Sequence, residues 1–163
     1  MDQDGLSPLS KDDTDGGDAF EDLRNDPVQT NVLSSDGNFV MHCRGTALQR
    51  PAVVIAATDG YFGYWNTPMD FEWFILDTLY RSDSVYAWKH KLKTEILEVA
   101  GDDATMALML LHFGTFQKVK STFQARYKKM KEEYILPLTD TVSDEKAEEL
   151  WQQYRQEYEK YIK

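Results

Sequence analysis

Residues 52–65 read AVVIAATDGYFGYW, and the fold prediction begins with them. A short apolar run that ends in a turn signal is typical of a buried β-strand. The run stops at Thr58, Asp59 and Gly60, and glycine permits the positive φ that a sharp exit from a strand needs. The sequence therefore predicts a strand over residues 52–57 that brings the carboxylate of Asp59 to its end.

A second buried strand is predicted within residues 101–113, GDDATMALMLLHF. Its apolar run covers residues 106–113, and Asp102 and Asp103 come before it. If the two strands are antiparallel neighbours, the end of the first lies beside the start of the second. The sequence therefore predicts that Asp59 lies close to Asp102 and Asp103.

Three carboxylates at one end of a sheet need a cation or raised pKa values. Two carboxylates about 4 Å apart repel each other by roughly 4 kcal/mol at an effective dielectric constant of 20. Oxygen-rich sites of this kind suit Mg²⁺ or Mn²⁺. The alternative is that each Asp only caps a turn, because aspartate is common beside glycine in turns. Spacing alone leaves both interpretations open.

Two helices are predicted between the strands. Thr67 and Pro68 form an N-cap followed by a first-turn proline, and Ser84 caps the next helix, which we expect to stop at Gly101. The apolar residues that recur at helical spacing are Phe71, Phe74, Ile75 and Leu79 in the first helix and Val85, Trp88, Leu92, Ile96 and Val99 in the second. Each helix therefore has one face that can pack on a sheet.

The two ends of the chain have a different character from its centre. Residues 1–37 are predicted to be mostly loop with one short helix near Phe20, and residues 39–44 a strand that pairs with residues 52–57. After residue 114, helical spacing is broken at Pro137 and resumes after Ser143. This pattern predicts a helical hairpin that covers the sheet, and the alternative is a homodimer or partner interface rich in Tyr and Trp.

Composition limits the classes of protein to consider. The 163 residues carry a formal net charge of −10, which argues against nucleic acid or an anionic membrane as the main partner. Basic residues in the segment 125–131, ARYKKMK, are expected to form a solvated helix face. A single cysteine, Cys43, and an N-terminus without the pattern of a signal peptide favour a cytoplasmic location.

The two acidic motifs carry a resemblance to a known family. VVIAATDGYFGY, two predicted helices and then GDDATMALMLL resemble the C-terminal half of the metal-dependent protein phosphatases of type 2C. The late motifs of that family are an apolar strand ending in Ser/Thr-Asp-Gly and, after two helices, Asp-Asn-x-Thr. The resemblance implies that Asp59 and Asp102 are ligands of a binuclear Mg²⁺ or Mn²⁺ centre, with Gly60 in the first motif. Asp103 stands at the usual Asn position, which leaves open which of the two neighbouring carboxylates binds.

A further resemblance lies near the N-terminus. Residues 8–13, PLSKDD, are similar to the family segment Leu-Thr-x-Asp-His, whose Asp contributes to an additional metal position in some members. The matching residue is Asp12, and Asp13 stands where the family has His. The resemblance therefore implies Asp12 as a third metal ligand.

The family's N-terminal motifs have no match in this sequence. Those motifs supply a phosphate-binding Arg, further acidic ligands and a His that serves as general acid. Asp15 imitates the glycine-rich motif, but it lacks the spacer residue and follows a polar segment. We therefore expect a truncated phosphatase, one half of a split enzyme that pairs with its missing N-terminal half, or a descendant with a binding role only.

The predicted fold is α+β. Residues 1–114 are predicted to be the C-terminal portion of a type 2C phosphatase-like domain, a partial layered helix-sheet-sheet-helix sandwich, and residues 115–163 a helical extension. The function implied by the resemblance is metal-dependent hydrolysis of Ser/Thr phosphoproteins, by a partial catalytic domain inactive alone. The alternative is a non-catalytic regulatory or protein-interaction module that retains the fold.

Overall fold

The structure is a computed structural model, and it describes residues 1–9, 35, 37, 39, 40, 47, 50–58, 61, 63–101, 103–140 and 143–159. Their regular elements are, in chain order, β1 (Ala52–Ala57), α1 (Pro68–Tyr80), α2 (Val85–Ile96), β2 (Met106–Leu111), α3 (Phe116–Lys129), a π-helical segment (Met130–Ile135), α4 (Leu136–Asp140) and α5 (Asp144–Tyr158). The predicted α+β class is confirmed. None of the described helices is long and apolar enough to cross a bilayer.

The predicted antiparallel pairing of the two strands is confirmed. β1 pairs with β2 in a register that runs from Ala52 opposite Leu111 to Ala57 opposite Met106. Alternate side chains on each strand reach the core, as the two-residue period of a strand requires. β2 is shorter than the predicted 106–113, because the backbone of His112 adopts a φ of 62° and turns the chain away from the ladder.

The helix starts were predicted correctly, but one helix end was not. The Thr67 hydroxyl caps α1 by accepting a hydrogen bond from the Asp70 N–H at 3.2 Å, and Ser84 caps α2 in the same way. α2 ends at Ile96, five residues before the predicted stop at Gly101. The next residues instead form tight turns, in which the Val99 N–H donates to the Ile96 carbonyl at 3.1 Å.

The predicted break at Pro137 is wrong. α3, the π-helical segment and α4 form one uninterrupted run from residue 116 to residue 140. In a regular α-helix, the proline ring would clash with the carbonyl four residues earlier. The π-helical turn at Met130–Ile135 comes directly before the α4 turn that contains Pro137, and its wider spacing relieves this clash. α5 begins directly after Ser143, where helical spacing was predicted to resume, and the Ser143 hydroxyl caps it.

The C-terminal helices share one apolar core with the elements before residue 114. α3 and α5 both pack against α1. The buried residues that they and the π-helical segment contribute are Val119, Phe123, Met130, Tyr134, Leu150, Trp151 and Tyr154. The division of the chain into domains at residue 114 stays a prediction.

The N-terminal predictions lie mostly outside the described residues. This applies to the short helix near Phe20 and to most of the strand over residues 39–44; the described Phe39 and Val40 have no regular secondary structure. Met1 is described, and it pairs with β1: the Val53 N–H donates to the Met1 carbonyl at 2.8 Å, and the Met1 ammonium donates to the Val53 carbonyl at 2.8 Å. The first residue therefore lies along the edge of β1.

Candidate functional site

The acidic motifs flank a pair of threonines at one end of the β1–β2 ladder. The Thr58 N–H donates to the Thr105 carbonyl at 3.0 Å. The Thr105 N–H in turn donates to the Thr58 hydroxyl at 3.1 Å, and that hydroxyl also lies 3.3 Å from the Thr105 carbonyl, to which it donates. The exit from β1 is thus fastened to the entry to β2, which is the juxtaposition that the sequence predicted.

One of the predicted site residues falls in the part of the chain that the structure describes. Asp103 is exposed, two residues before Thr105. Asp59, Gly60, Asp102 and Asp12 lie outside the described residues, so their meeting and their role as ligands stay predictions. Within the described ranges, no group of three or more His, Cys, Asp or Glu side chains is arranged to hold a metal ion.

Two tyrosines in the segment that follows β1 lie against other parts of the fold. The buried Tyr61 donates its hydroxyl hydrogen to the Leu92 carbonyl on α2 at 3.0 Å. Burial, with a smaller effect of the Glu95 carboxylate, raises the pKa of Tyr61 above its usual value, so the hydroxyl stays protonated. Tyr64 lies against Gly101, where an added Cβ would be 3.1 Å from the Tyr64 hydroxyl oxygen. Gly101 therefore allows the segments on either side of the acidic motifs to approach closely.

A second polar group, missed by sequence reasoning, lies between α1, α3 and α5. Arg126 donates from Nε and Nη2 to the Glu72 carboxylate at 2.7 and 2.9 Å, and from Nη1 to Glu157 at 2.5 Å. The Tyr154 hydroxyl donates to the same Glu72 carboxylate at 2.6 Å, and Lys129 bonds to Glu157. We call these five residues the Arg126 cluster.

The Arg126 cluster is an internal ion network and not a site with unpaired charge. Glu72 is fully buried and Arg126 is 4% exposed, which corrects the expectation of a wholly solvated basic face over residues 125–131. A turn near the N-terminus, in which Asp2 and Gly5 exchange backbone hydrogen bonds, lies against Arg126. Gly5 adopts a φ of 125°, and an added Cβ there would lie 2.7 Å from the Arg126 guanidinium, so the turn can approach this closely only with glycine at position 5. The sequence signal that could have revealed this cluster is Glu72, which stands among the apolar residues of α1. A carboxylate buried at such a position needs a cation as its partner.

Comparison with known proteins adds no further evidence on the site. No protein-family model, curated protein or solved structure matches this chain. The functional proposal therefore rests on the two acidic motifs and on the described contacts between the strands that carry them.

Proposed function

We propose that this chain is the C-terminal part of the catalytic domain of a metal-dependent Ser/Thr protein phosphatase of the type 2C kind. The observation that carries the proposal is the antiparallel β1–β2 register, which continues into the Thr58–Thr105 pair. Asp59 follows Thr58 directly in the sequence, and Asp102 comes three residues before Thr105. The register supports the proposal because Thr58 and Thr105, which belong to the two acidic motifs, pair at one end of the sheet.

The donor set fits a hard divalent cation. The candidate residues Asp59, Asp102, Asp103 and Asp12 all offer carboxylate oxygens, which Mg²⁺ and Mn²⁺ prefer over the nitrogen and sulfur ligands typical of zinc. Asp59 and Asp102 would hold the metal, with Gly60 beside Asp59 in the first motif. The chemistry supplied by a bound binuclear centre is the activation of water for attack on a phosphate ester.

The chain by itself carries part of the proposed site. Two-metal hydrolysis needs ligands on both sides of a pair of ions about 3.5–4 Å apart. Since the family's N-terminal motifs have no match in this sequence, we propose that the other ligands and the phosphate-binding Arg come from a further stretch of polypeptide. β1, β2, α1 and α2 would then be part of the layered phosphatase sandwich, with the helices after residue 114 as an extension, and the substrate would be a phosphoprotein.

The proposal is tested by supplying the missing half. The N-terminal half of a type 2C phosphatase, fused ahead of Met1, should give Mn²⁺-dependent hydrolysis of a phosphoserine peptide. Asp59→Asn should abolish that activity, whereas Asp83→Asn, an exposed aspartate in the loop between α1 and α2, should leave it unchanged. The unfused chain should be no faster than a metal blank, because it lacks much of the positioning that supplies the rate.

Two results would contradict the proposal. Steady turnover by the unfused chain would show that other residues carry out the reaction. A well-folded fusion that binds Mn²⁺ and stays inert would favour the alternative, a non-catalytic regulatory or protein-interaction module that keeps the fold.

A further inference from the structure

We propose that Thr58 is a positioning residue for the acidic site, and that its hydroxyl group lets the chain leave β1 without losing its attachment to β2. This inference rests on the proposed function, because the site that Thr58 would position is the proposed metal site. In the Thr58-Asp59-Gly60 segment, the role of Thr58 is to attach the chain to β2, and the proposed role of Asp59 is to bind the metal.

The hydrogen bonds of Thr58 depart from those of a regular ladder in one respect. In a regular antiparallel pair, two opposed residues exchange two backbone N–H to carbonyl bonds. The Thr58 N–H makes its half of this exchange with the Thr105 carbonyl. The Thr105 N–H, however, donates to the Thr58 hydroxyl at 3.1 Å instead of to the Thr58 carbonyl. The hydroxyl therefore replaces the carbonyl as the acceptor.

The Thr58 carbonyl is used elsewhere. It accepts a hydrogen bond from the Tyr61 N–H at 2.9 Å, which closes a four-residue turn from Thr58 to Tyr61. The two central positions of that turn in the sequence are Asp59 and Gly60. Thr58 thus accepts two hydrogen bonds with different atoms. Its carbonyl accepts from the Tyr61 N–H in the turn, and its hydroxyl accepts from the Thr105 N–H in the ladder.

Both ends of this turn are fixed by described contacts. At the first end, the Thr58–Thr105 bonds attach it to β2. At the other end, the Tyr61 hydroxyl bonds to Leu92 on α2, and the ring is buried against Phe71, with ring centroids 6.4 Å apart. The described residues on both sides of Asp59, Thr58 and Tyr61, are therefore attached to Thr105 and to α2, and this attachment is the basis for the role proposed for Thr58.

Position 58 requires a side chain with a hydroxyl oxygen that can accept the hydrogen bond from the Thr105 N–H. Serine has the same hydroxyl acceptor, so Thr58→Ser should keep both structures. Valine has the shape of threonine without the hydroxyl, so Thr58→Val should leave the Thr105 N–H without its protein partner while the carbonyl stays in the turn. Thr94→Val is a matched control, since Thr94 is an exposed threonine on α2 whose hydroxyl donates within its own helix.

The test measures two quantities on the full chain. The first is the rate of hydrogen exchange of the Thr105 amide, followed by NMR. The second is the affinity for Mn²⁺, followed by calorimetry. We expect Thr58→Val to raise the exchange rate and to lower the Mn²⁺ affinity, each by about fivefold, which is the ratio for one net hydrogen bond of about 1 kcal/mol. Thr58→Ser and Thr94→Val should match the unaltered chain in both quantities.

The outcomes separate this inference from the proposed function. Unchanged Thr105 exchange in Thr58→Val, or Mn²⁺ affinity equal to that of the unaltered chain, would overturn the role given to Thr58 and leave the proposed function standing. Failure of the unaltered chain to bind Mn²⁺ would overturn the proposed function and this inference with it. If Thr58→Val does not fold, weakened Mn²⁺ binding by the folded Thr58→Ser variant would still contradict the inference.

Discussion

Arg126 on α3 binds Glu72 on α1 through two parallel hydrogen bonds of 2.7 and 2.9 Å, with both side chains almost completely removed from solvent. The two residues are 54 apart in the sequence, and the Tyr154 hydroxyl on α5 donates a third hydrogen bond to Glu72. The carbonyl of Pro68, the first residue of α1, lies 3.4 Å from the same Tyr154 hydroxyl, a longer contact than the bond to Glu72. The Arg126 cluster therefore attaches α1 to α3 and α5.

Removal of one partner of the buried pair should destabilise the fold. Glu72→Ala leaves the Arg126 guanidinium buried with one fewer countercharge, and we expect it to lower the free energy of unfolding by about 3–5 kcal/mol. Urea denaturation measures this loss. Glu98→Ala, at an exposed position after α2, is the matched control and should change stability by no more than about 0.5 kcal/mol. A loss below about 1 kcal/mol in Glu72→Ala would contradict the account of this pair.

Acid should weaken the fold through Glu157. Burial alone would raise the pKa of this carboxyl, but the hydrogen bonds from Lys129 and Arg126 outweigh burial and hold the pKa below its ordinary value of 4.5. A depressed pKa in the folded state means that the stabilisation is present above the unfolded value and is lost as the pH falls through the folded value.

Denaturation midpoints measured from pH 7 down to pH 3 test this effect. We expect stability to fall in the acidic part of that range, and we expect Glu157→Gln to show a shallower fall because its side chain does not titrate. Identical pH profiles for the two proteins would show that the Lys129 and Arg126 bonds do not govern the acid response.

The C-terminal helices should be needed for a stable fold. A chain that ends at Gly114 loses the helices that bury Phe123, Trp151 and Tyr154 against α1. We expect a lower melting temperature and increased binding of a hydrophobic dye, since the apolar face of α1 becomes exposed. An unchanged melting temperature together with a loss of self-association would instead favour a homodimer interface as the role of these helices.

Local signals predicted much of the fold. The starts of α1 and α2 followed from their cap residues Thr67 and Ser84, and the start of α5 followed from the helical spacing that resumes after Ser143. β1 and β2 followed from apolar runs bounded by polar residues. Element ends were harder, because they depend on backbone geometry that residue type alone does not reveal. The π-helical turn that lets the helix continue past Pro137 is one example, and the positive φ of His112 is another.

For the functional groups, the sequence predicted the pairing of the two strand ends but not the Arg126 cluster. The juxtaposition of the two strand ends followed from antiparallel pairing, which the Thr58–Thr105 bonds confirm. The Arg126 cluster was not predicted, since its members are up to 85 residues apart in the sequence, from Glu72 to Glu157, and only the packing of three helices brings them together. The same packing removed Arg126 from solvent, against the expectation for a basic helix segment.

The central claim, that the acidic end of the β1–β2 ladder binds a divalent metal through Asp59 and Asp102, is tested most directly by calorimetric titration with Mn²⁺. We expect the unaltered chain to bind weakly, because a partial site leaves most coordination positions to water. Asp59→Asn and Asp102→Asn should each weaken binding by roughly tenfold or more, since fewer carboxylate charges lower the affinity for a hard cation. Asp83→Asn should bind as the unaltered chain does. Equal Mn²⁺ affinity in Asp59→Asn and the unaltered chain, or no binding by either, would contradict the claim.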